Sequence, residues 1–199
     1  GIWNLQLWRT HSNKLGKILF LSGSERIKQT EIIPVVSFSD IVKKKQNKII
    51  KERMAYPLSA ESVTDYEHRL LIAAQSAYLC NPATIVSVNP LTIIKMIDLT
   101  EKHKKELKMA IENNKYIGTN IYCGSKNKSN ALSKIDSGSI LDFVKLICTW
   151  TGGTQDIFIN CLKNKGVKVP FRDLGFIASE GRFTIPLKDN TSSGVLNPF

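Results

Sequence analysis

Two glycine-containing turns near the C-terminal end hold the residue types most suited to chemistry. The first is Trp150-Thr151-Gly152-Gly153-Thr154, placed between an apolar run and a helical pattern. Glycines there let a ligand approach the backbone, and the start of the helix offers free N–H donors. The second is Gly175-Phe176-Ile177-Ala178-Ser179-Glu180-Gly181-Arg182, reached after one more strand. It sets an aromatic ring, two small residues, a hydroxyl, a carboxylate and a glycine at a sheet edge. Taken singly, each has a plainer reading: a tight strand–helix connection, and a β-turn with a solvated glutamate. Catalytic triads are set aside, because none of His11, His68 and His103 neighbours an elbow-type serine. His68 reads as a helix-surface residue and His103 as part of a lysine cluster.

The elements that must position these turns are marked by punctuation. Lys17 to Ser22 reads as a short buried strand ending at Gly23. Glu31 to Phe38 reads as extended, with Pro34 demoting it to an edge or an irregular segment. Ser39-Asp40 reads as the cap of a helix running through Ile41, Ile49 and Ile50 toward Met54. Thr64-Asp65-Tyr66-Glu67 has the capping-box pattern, with Thr64 and Glu67 satisfying free backbone N–H groups. The helix it opens carries Leu70, Leu71, Ala74, Ala77 and Tyr78 and stops near Asn81-Pro82. Thr84 to Val88 is a β-branched strand. Asn89-Pro90 then gives a cap followed by proline at the first helical position, which predicts one helix over 90–112.

Residues 115–139 are polar and read as a loop with a short helix around Ala131 to Ile135. A strand over 144–149 leads into the Gly-Gly turn. A helix from Gln155 to Lys165 follows and Gly166 ends it. Val167 to Pro170 begins another strand, Gly175 to Ser179 forms a turn, and Arg182 to Leu187 reads as a closing strand. Strands alternating with helices predict an α/β fold with a mostly parallel sheet and flanking helices. The strands at 84–88 and 144–149 are expected at its centre, with the 90–112 helix across one face.

In this order, the two turns resemble the luciferase-like adenylate-forming superfamily, in which a Gly-Gly turn and a Tyr-Gly-x-Thr-Glu-type motif flank one nucleotide. The finer similarity is to the auxin-responsive acyl acid amido synthetases, whose second motif reads like Tyr-x-x-Ser-Glu-Gly. It is carried by Cys148 through Gly153, Phe171 through Gly175, and Gly194-Val195-Leu196, which look like the bacterial branch of that family. Upstream, Ala83 through Leu91 resembles the superfamily's strand-then-proline-helix segment beside the acyl pocket, which implies Val88 and Asn89 as substrate-binding residues. The Gly16-Lys17-Ile18-Leu19 strand also falls where the family has one.

The resemblance implies an ATP-dependent ligase that activates a carboxylic acid as an acyl-adenylate and passes it to an amine, commonly an amino acid. It places Thr151, Gly152 and Gly153 along the base and ribose, with Ala178 beside the nucleotide. Phe176 takes the place of the motif's tyrosine and would stack on adenine. Ser179 would hydrogen-bond the α-phosphate, and Glu180 would hold Mg²⁺, making Ser179 and Glu180 the catalytic pair. Arg182 departs from the tryptophan of plant members. Ser22-Gly23-Ser24 lacks the Thr-Gly-Lys character of the family's phosphate loop, and the aspartate motif and mobile C-terminal lid have no counterpart here. Residues 1–199 are therefore expected to be one incomplete, central portion of the large N-terminal domain, with the phosphate loop upstream and the lid downstream. The first residue, Gly1, fits an internal start.

Composition narrows the classes. Of 199 residues, 42% are hydrophobic and 23% charged, ordinary for a globular chain. No stretch approaches the roughly 18 apolar residues of a membrane span, and no membrane partner is expected. The net charge of +11, from 28 Lys and Arg against 17 acids, raises a non-enzymatic basic binding module as a rival. The clusters Lys43-Lys44-Lys45 and Lys102-His103-Lys104-Lys105 carry no interleaved aromatics and few arginines, so nucleic acid is not the expected partner. The other rival is an acyl- or aryl-CoA ligase of the same superfamily. Cys80, Cys123, Cys148 and Cys161 form no CxxC pair, which points to reduced thiols and the cytoplasm.

Overall fold

A computed structural model describes residues 7, 9–11, 16–21, 26–29, 34–36, 48–60, 63–124, 127–178 and 180–197. Strands β1 (Ile18–Leu21), β4 (Thr84–Ser87), β5 (Leu146–Thr149) and β6 (Phe171–Asp173) form a four-stranded sheet in that order, parallel throughout. Between the first two lies an antiparallel pair, β2 (Arg26–Gln29) and β3 (Pro34–Val36). The connecting helices are α1 (Lys48–Arg53), α2 (Tyr66–Cys80), α3 (Pro90–Lys102), α4 (Lys104–Glu112), α5 (Lys128–Ser137) and α6 (Gln155–Asn164). The expected α/β class is borne out, with the 84–87 and 146–149 strands central. Among the described residues, no helix is long and apolar enough to cross a membrane.

Register explains which side chains meet. Leu19, Ile85, Ile147 and Phe171 stand in one row across the four strands. That row joins a core made with residues of α2 to α6, among them Ile72, Ile93, Leu107, Ile135 and Leu162. Each fully buried aliphatic side chain of this kind is worth about 1.5–3 kcal/mol. The alternate row, Phe20, Val86, Cys148 and Arg172, faces the other way. Leu7 covers its β5–β6 end, packing with Leu146, Cys148 and Leu174. A charged residue, Arg172, thus stands in the middle of a buried strand.

Several boundaries differ from expectation. The cap of α2 is Asp65, not Thr64: the Asp65 carboxylate accepts from His68 N at 2.7 Å. Glu67 instead pairs with Lys95 at 3.0 Å. A carboxylate one residue nearer the helix outcompetes the hydroxyl as acceptor. The helix expected over 90–112 is two helices that break at His103, where φ is −108° and ψ is 27°. The turn lets Leu107 and Ile111 bury themselves, and no glycine or proline marks it. Asn89 does cap α3, its Oδ1 accepting from Leu91 N, with Pro90 in the first turn.

The described part of the polar 115–139 segment is more ordered than its composition suggests. Gln75, fully buried in α2, donates to Lys115 O at 2.7 Å and accepts from Ile117 N at 2.8 Å. His68 is half-buried against the Ile117 carbonyl rather than free on a helix surface. The strand expected from Val167 starts only at Phe171. Val167 N is used to close α6 by bonding Leu162 O, and Pro170 has no N–H to pair. The expected closing strand, Arg182 to Leu187, is divided: β8 (Gly181–Arg182) pairs with β7 (Ile177–Ala178), and β9 (Thr184–Ile185) with β10 (Val195–Leu196). The Ser39-Asp40 cap, the Lys43-Lys44-Lys45 run and Ser22-Gly23-Ser24 lie outside the described residues.

Burial in this core predicts alkaline sensitivity. Burial pushes the Cys148 thiol up to about 12 from 9.0, and the Tyr78 and Tyr116 phenols up to about 12 from 10.0. In the unfolded chain these acids ionise near their ordinary values, whereas the folded chain keeps them protonated. Their contribution is therefore complete below about pH 9 and is lost as pH rises toward 12. Urea midpoints measured between pH 8 and 11 should fall steadily, and Cys148 should resist alkylation under native conditions while exposed Cys161 reacts. A flat profile with Cys148 modified as fast as Cys161 contradicts this burial.

Candidate functional site

The C-terminal ends of β4, β5 and β6 lie side by side, and each runs into a segment singled out above. In open α/β sheets, ligands bind outside these carboxyl ends. After β4 come Val88 and Asn89, both exposed. Val88 O accepts from Trp150 N at 3.3 Å and from Thr149 Oγ1 at 3.4 Å, which fixes the end of β4 against the turn after β5. The Asn89 side chain is engaged in capping α3.

The Gly-Gly turn follows β5. Thr151 is buried, and both its N–H and its hydroxyl donate to Asp173 Oδ2, at 2.7 and 2.8 Å. Those two donors therefore hold the turn rather than face outward. A Cβ on Gly152 would meet Ser192 Cβ at 2.9 Å, so this glycine admits the 191–193 loop. Gly153 has φ +63° and open space on its Cβ side, leaving it the accessible glycine of the pair. Thr154 makes no side-chain cap to α6. The Gly152 and Gly153 carbonyls accept from Gln155 N and Asp156 N at 3.3 and 3.4 Å.

The second segment follows β6. Gly175 has φ +77°, and a Cβ there would run into the Thr184 carbonyl, so no other residue suits the position. Its N–H donates to Asp173 Oδ1 at 2.6 Å, and its carbonyl accepts from the Trp150 indole at 3.0 Å. Phe176 N donates to Thr184 Oγ1 at 2.8 Å, and Phe176 O accepts from Phe183 N at 2.8 Å. The backbone at Phe176 is thus held, while the residue is 62% exposed and its ring leans on Phe183 with centroids 5.2 Å apart. Ala178 is half-buried in the β7–β8 hairpin, and Glu180 is exposed at its turn. Ser179 lies outside the described residues. Among the described residues, Glu180 has no ion pair or hydrogen bond to the Thr151–Gly153 turn.

Arg182 departs from the family pattern and has a structural use. Its guanidinium donates to Leu174 O, and burial lowers its pKa against the opposing pull of Asp173. Among the described residues no cluster of three His, Cys, Asp or Glu could cage a metal. Mg²⁺ commonly binds through one or two carboxylates plus substrate phosphates rather than an all-protein cage, and Glu180 is an exposed carboxylate at this edge. Some lysines on and beside α3, α4 and α6 are paired: Lys95 with Glu67, Lys108 with Asp136, and Lys165, just past α6, with Asp98.

Two constellations were not assigned from the sequence. One is Asp173, which joins both turns. The other is Arg172, 1% exposed, whose Nε donates to Asp189 Oδ1 at 2.6 Å while His11 Nε2 lies 3.0 Å from Asp189 Oδ2. The signal for both was adjacent charges, Arg172-Asp173, inside a run that has to be buried, since burying charges requires partners.

No protein-family model matches the sequence, and no curated protein matches it. Among solved structures, a GH3.15 acyl acid amido synthetase shares the fold with a TM-score of 0.70 at 16% identity, over 94% of this chain and 38% of that one. A structure described as AtGH3.15 acyl acid amido synthetase in complex with 2,4-DB gives 0.71 at 16% identity, over 94% and 37%. The chain therefore spans well under half the length of these relatives, and at this identity the likeness is one of fold. The fold of this chain is that of part of a GH3 acyl acid amido synthetase.

Proposed function

We propose that this chain is the central part of the large N-terminal domain of an ATP-dependent acyl acid amido synthetase. The observation that carries the reading is the convergence of three strand ends on one edge. There a held backbone presents an exposed aromatic face, at Phe176, beside an accessible glycine turn. The shared fold adds to it. Phe176 stacks on the adenine, Gly153 and its neighbours follow the ribose, and Ala178 lines the nucleotide. Ser179 would hydrogen-bond the α-phosphate, and Glu180 would be the carboxylate that holds Mg²⁺. Val88, exposed and apolar, borders the acyl group with Asn89.

Bound Mg²⁺ supplies positive charge where negative charge grows on the phosphate oxygens. The chain's own part is to fix the nucleotide so that a substrate carboxylate oxygen attacks the α-phosphorus. The bond from that phosphorus to the bridging oxygen breaks, and pyrophosphate leaves with the electron pair. An amine, commonly that of an amino acid, then attacks the acyl carbonyl. AMP departs, the nitrogen loses its proton, and an amide remains. Donors aimed at developing charge are the usual source of rate in such steps. The proposed setting is the cytoplasm, where four free thiols stay reduced.

The acceptor step tests the reading. Once adenylate has formed in the full-length enzyme, it should be consumed by amino acids with AMP release and amide formation. Consumption by coenzyme A and not by amines would identify a CoA ligase instead.

A further inference from the structure

The Asp173 carboxylate is buried, and its two oxygens reach different parts of the site. Oδ2 accepts from Thr151 N and Oγ1, at 2.7 and 2.8 Å, in the turn after β5. Oδ1 accepts from Gly175 N at 2.6 Å, immediately before Phe176. Trp150 returns the connection, its indole donating to Gly175 O at 3.0 Å. The peptide groups on both sides of the Gly175 α-carbon are therefore bonded to residues that also fix the glycine turn. Thr149 and Asp173 are register partners, so the carboxylate spans the two strands just where both end. Hydrogen bonds to an ionised carboxylate are roughly twice as strong as neutral ones. Arg182, which donates to Leu174 O, adds positive charge beside it.

We infer that Asp173 is a positioning residue that sets the distance between the glycine turn and the Phe176 ring, and with it the affinity for the nucleotide. The inference rests on the adenylate-forming reading above. Its logic is geometric: a nucleotide held by a ring on one strand end and a backbone turn on the next requires a fixed separation. Asp173→Asn keeps the volume but supplies an NH₂ group, so one backbone N–H, of Thr151 or Gly175, faces a donor instead of an acceptor. The two segments then move apart without touching substrate directly.

The test is steady-state kinetics of acid-dependent ATP–pyrophosphate exchange in the full-length enzyme carrying Asp173→Asn. A positioning role predicts that KM for ATP rises by at least ~10-fold, the scale of a small geometric misplacement, while KM for the carboxylic acid stays put. A purely structural role lowers the active fraction, so kcat falls with both KM values unchanged, and that result overturns the inference. If Asp173→Asn does not fold, Thr151→Val removes the hydroxyl and leaves the carboxylate. It should raise KM for ATP by a few-fold in the same direction, and an unchanged KM in this variant also overturns the inference. Wild-type enzyme with no exchange activity removes the adenylate-forming reading and this inference together. Wild-type activity with normal ATP KM in the variants removes the inference alone.

Discussion

Glu180→Gln in the full-length enzyme is expected to lower acid-dependent pyrophosphate exchange by ~10²-fold or more, the scale of losing one electrostatic contributor to a transition state. The change keeps size and much of the hydrogen bonding and removes the charge proposed to hold Mg²⁺. Glu180 is exposed at the β7–β8 turn, and among the described residues it has no ion-pair partner. Its charge therefore contributes little to the fold, and the melting temperature should not move. A glutamate that is merely solvated gives the opposite pattern: exchange within about twofold of wild type with unchanged Mg²⁺ dependence. That outcome would take Glu180 out of the site.

The largest effect on stability is expected at Asp189. Its Oδ1 accepts from Arg172 Nε at 2.6 Å, and Pro186 O accepts from the same guanidinium at 3.4 Å. Asp189 also meets His11 at 3.0 Å, so one carboxylate ties His11, the outer strand β6 and the 186–190 segment together. The next residue, Asn190, continues the connection by exchanging hydrogen bonds with both backbone groups of Phe171. Asp189→Ala leaves Arg172 buried with its charge uncompensated, which costs about 3–5 kcal/mol for pairs of this kind. Replacing both partners, as Arg172→Leu with Asp189→Leu, should recover most of that loss, because the charge and its desolvation disappear together. Urea unfolding of the two single variants and the double variant reads the difference. A loss below about 1 kcal/mol in Asp189→Ala would place this pair with ordinary surface ion pairs.

Elements whose signals are local were legible in the sequence. Asn89-Pro90 names a cap and a first helical position by chemistry alone, and Gly166 closes α6 with φ +89°. The β-branched run at 84–87 and the apolar run at 146–149 have no polar face to expose, so a buried parallel strand suits them. Elements decided by tertiary partners were harder. The break at His103 has no glycine or proline because it is set by where Leu107 and Ile111 find the core. The β2–β3 pair was missed on the Arg26–Gln29 side, where three polar residues and one isoleucine carry no strand pattern.

In the site, the turns themselves were readable because glycine and proline restrict the backbone. What joins them was not. Thr151 was assigned to the nucleotide, yet its N–H and hydroxyl are given to Asp173. Gly152 was assigned to ligand approach, yet it makes room for Ser192. In both cases the residue type announced a close approach, and only the three-dimensional register of β5 against β6 shows what approaches.

The measurement that bears most directly on the central claim is acid-dependent exchange of labelled pyrophosphate into ATP by the full-length enzyme, run across a panel of carboxylic acids with Mg²⁺. The account predicts exchange that requires both Mg²⁺ and an acid, needs no amine, and gives an acyl-adenylate detectable by mass. No exchange with any acid, together with no change in melting temperature on adding Mg²⁺ and ATP, would contradict it.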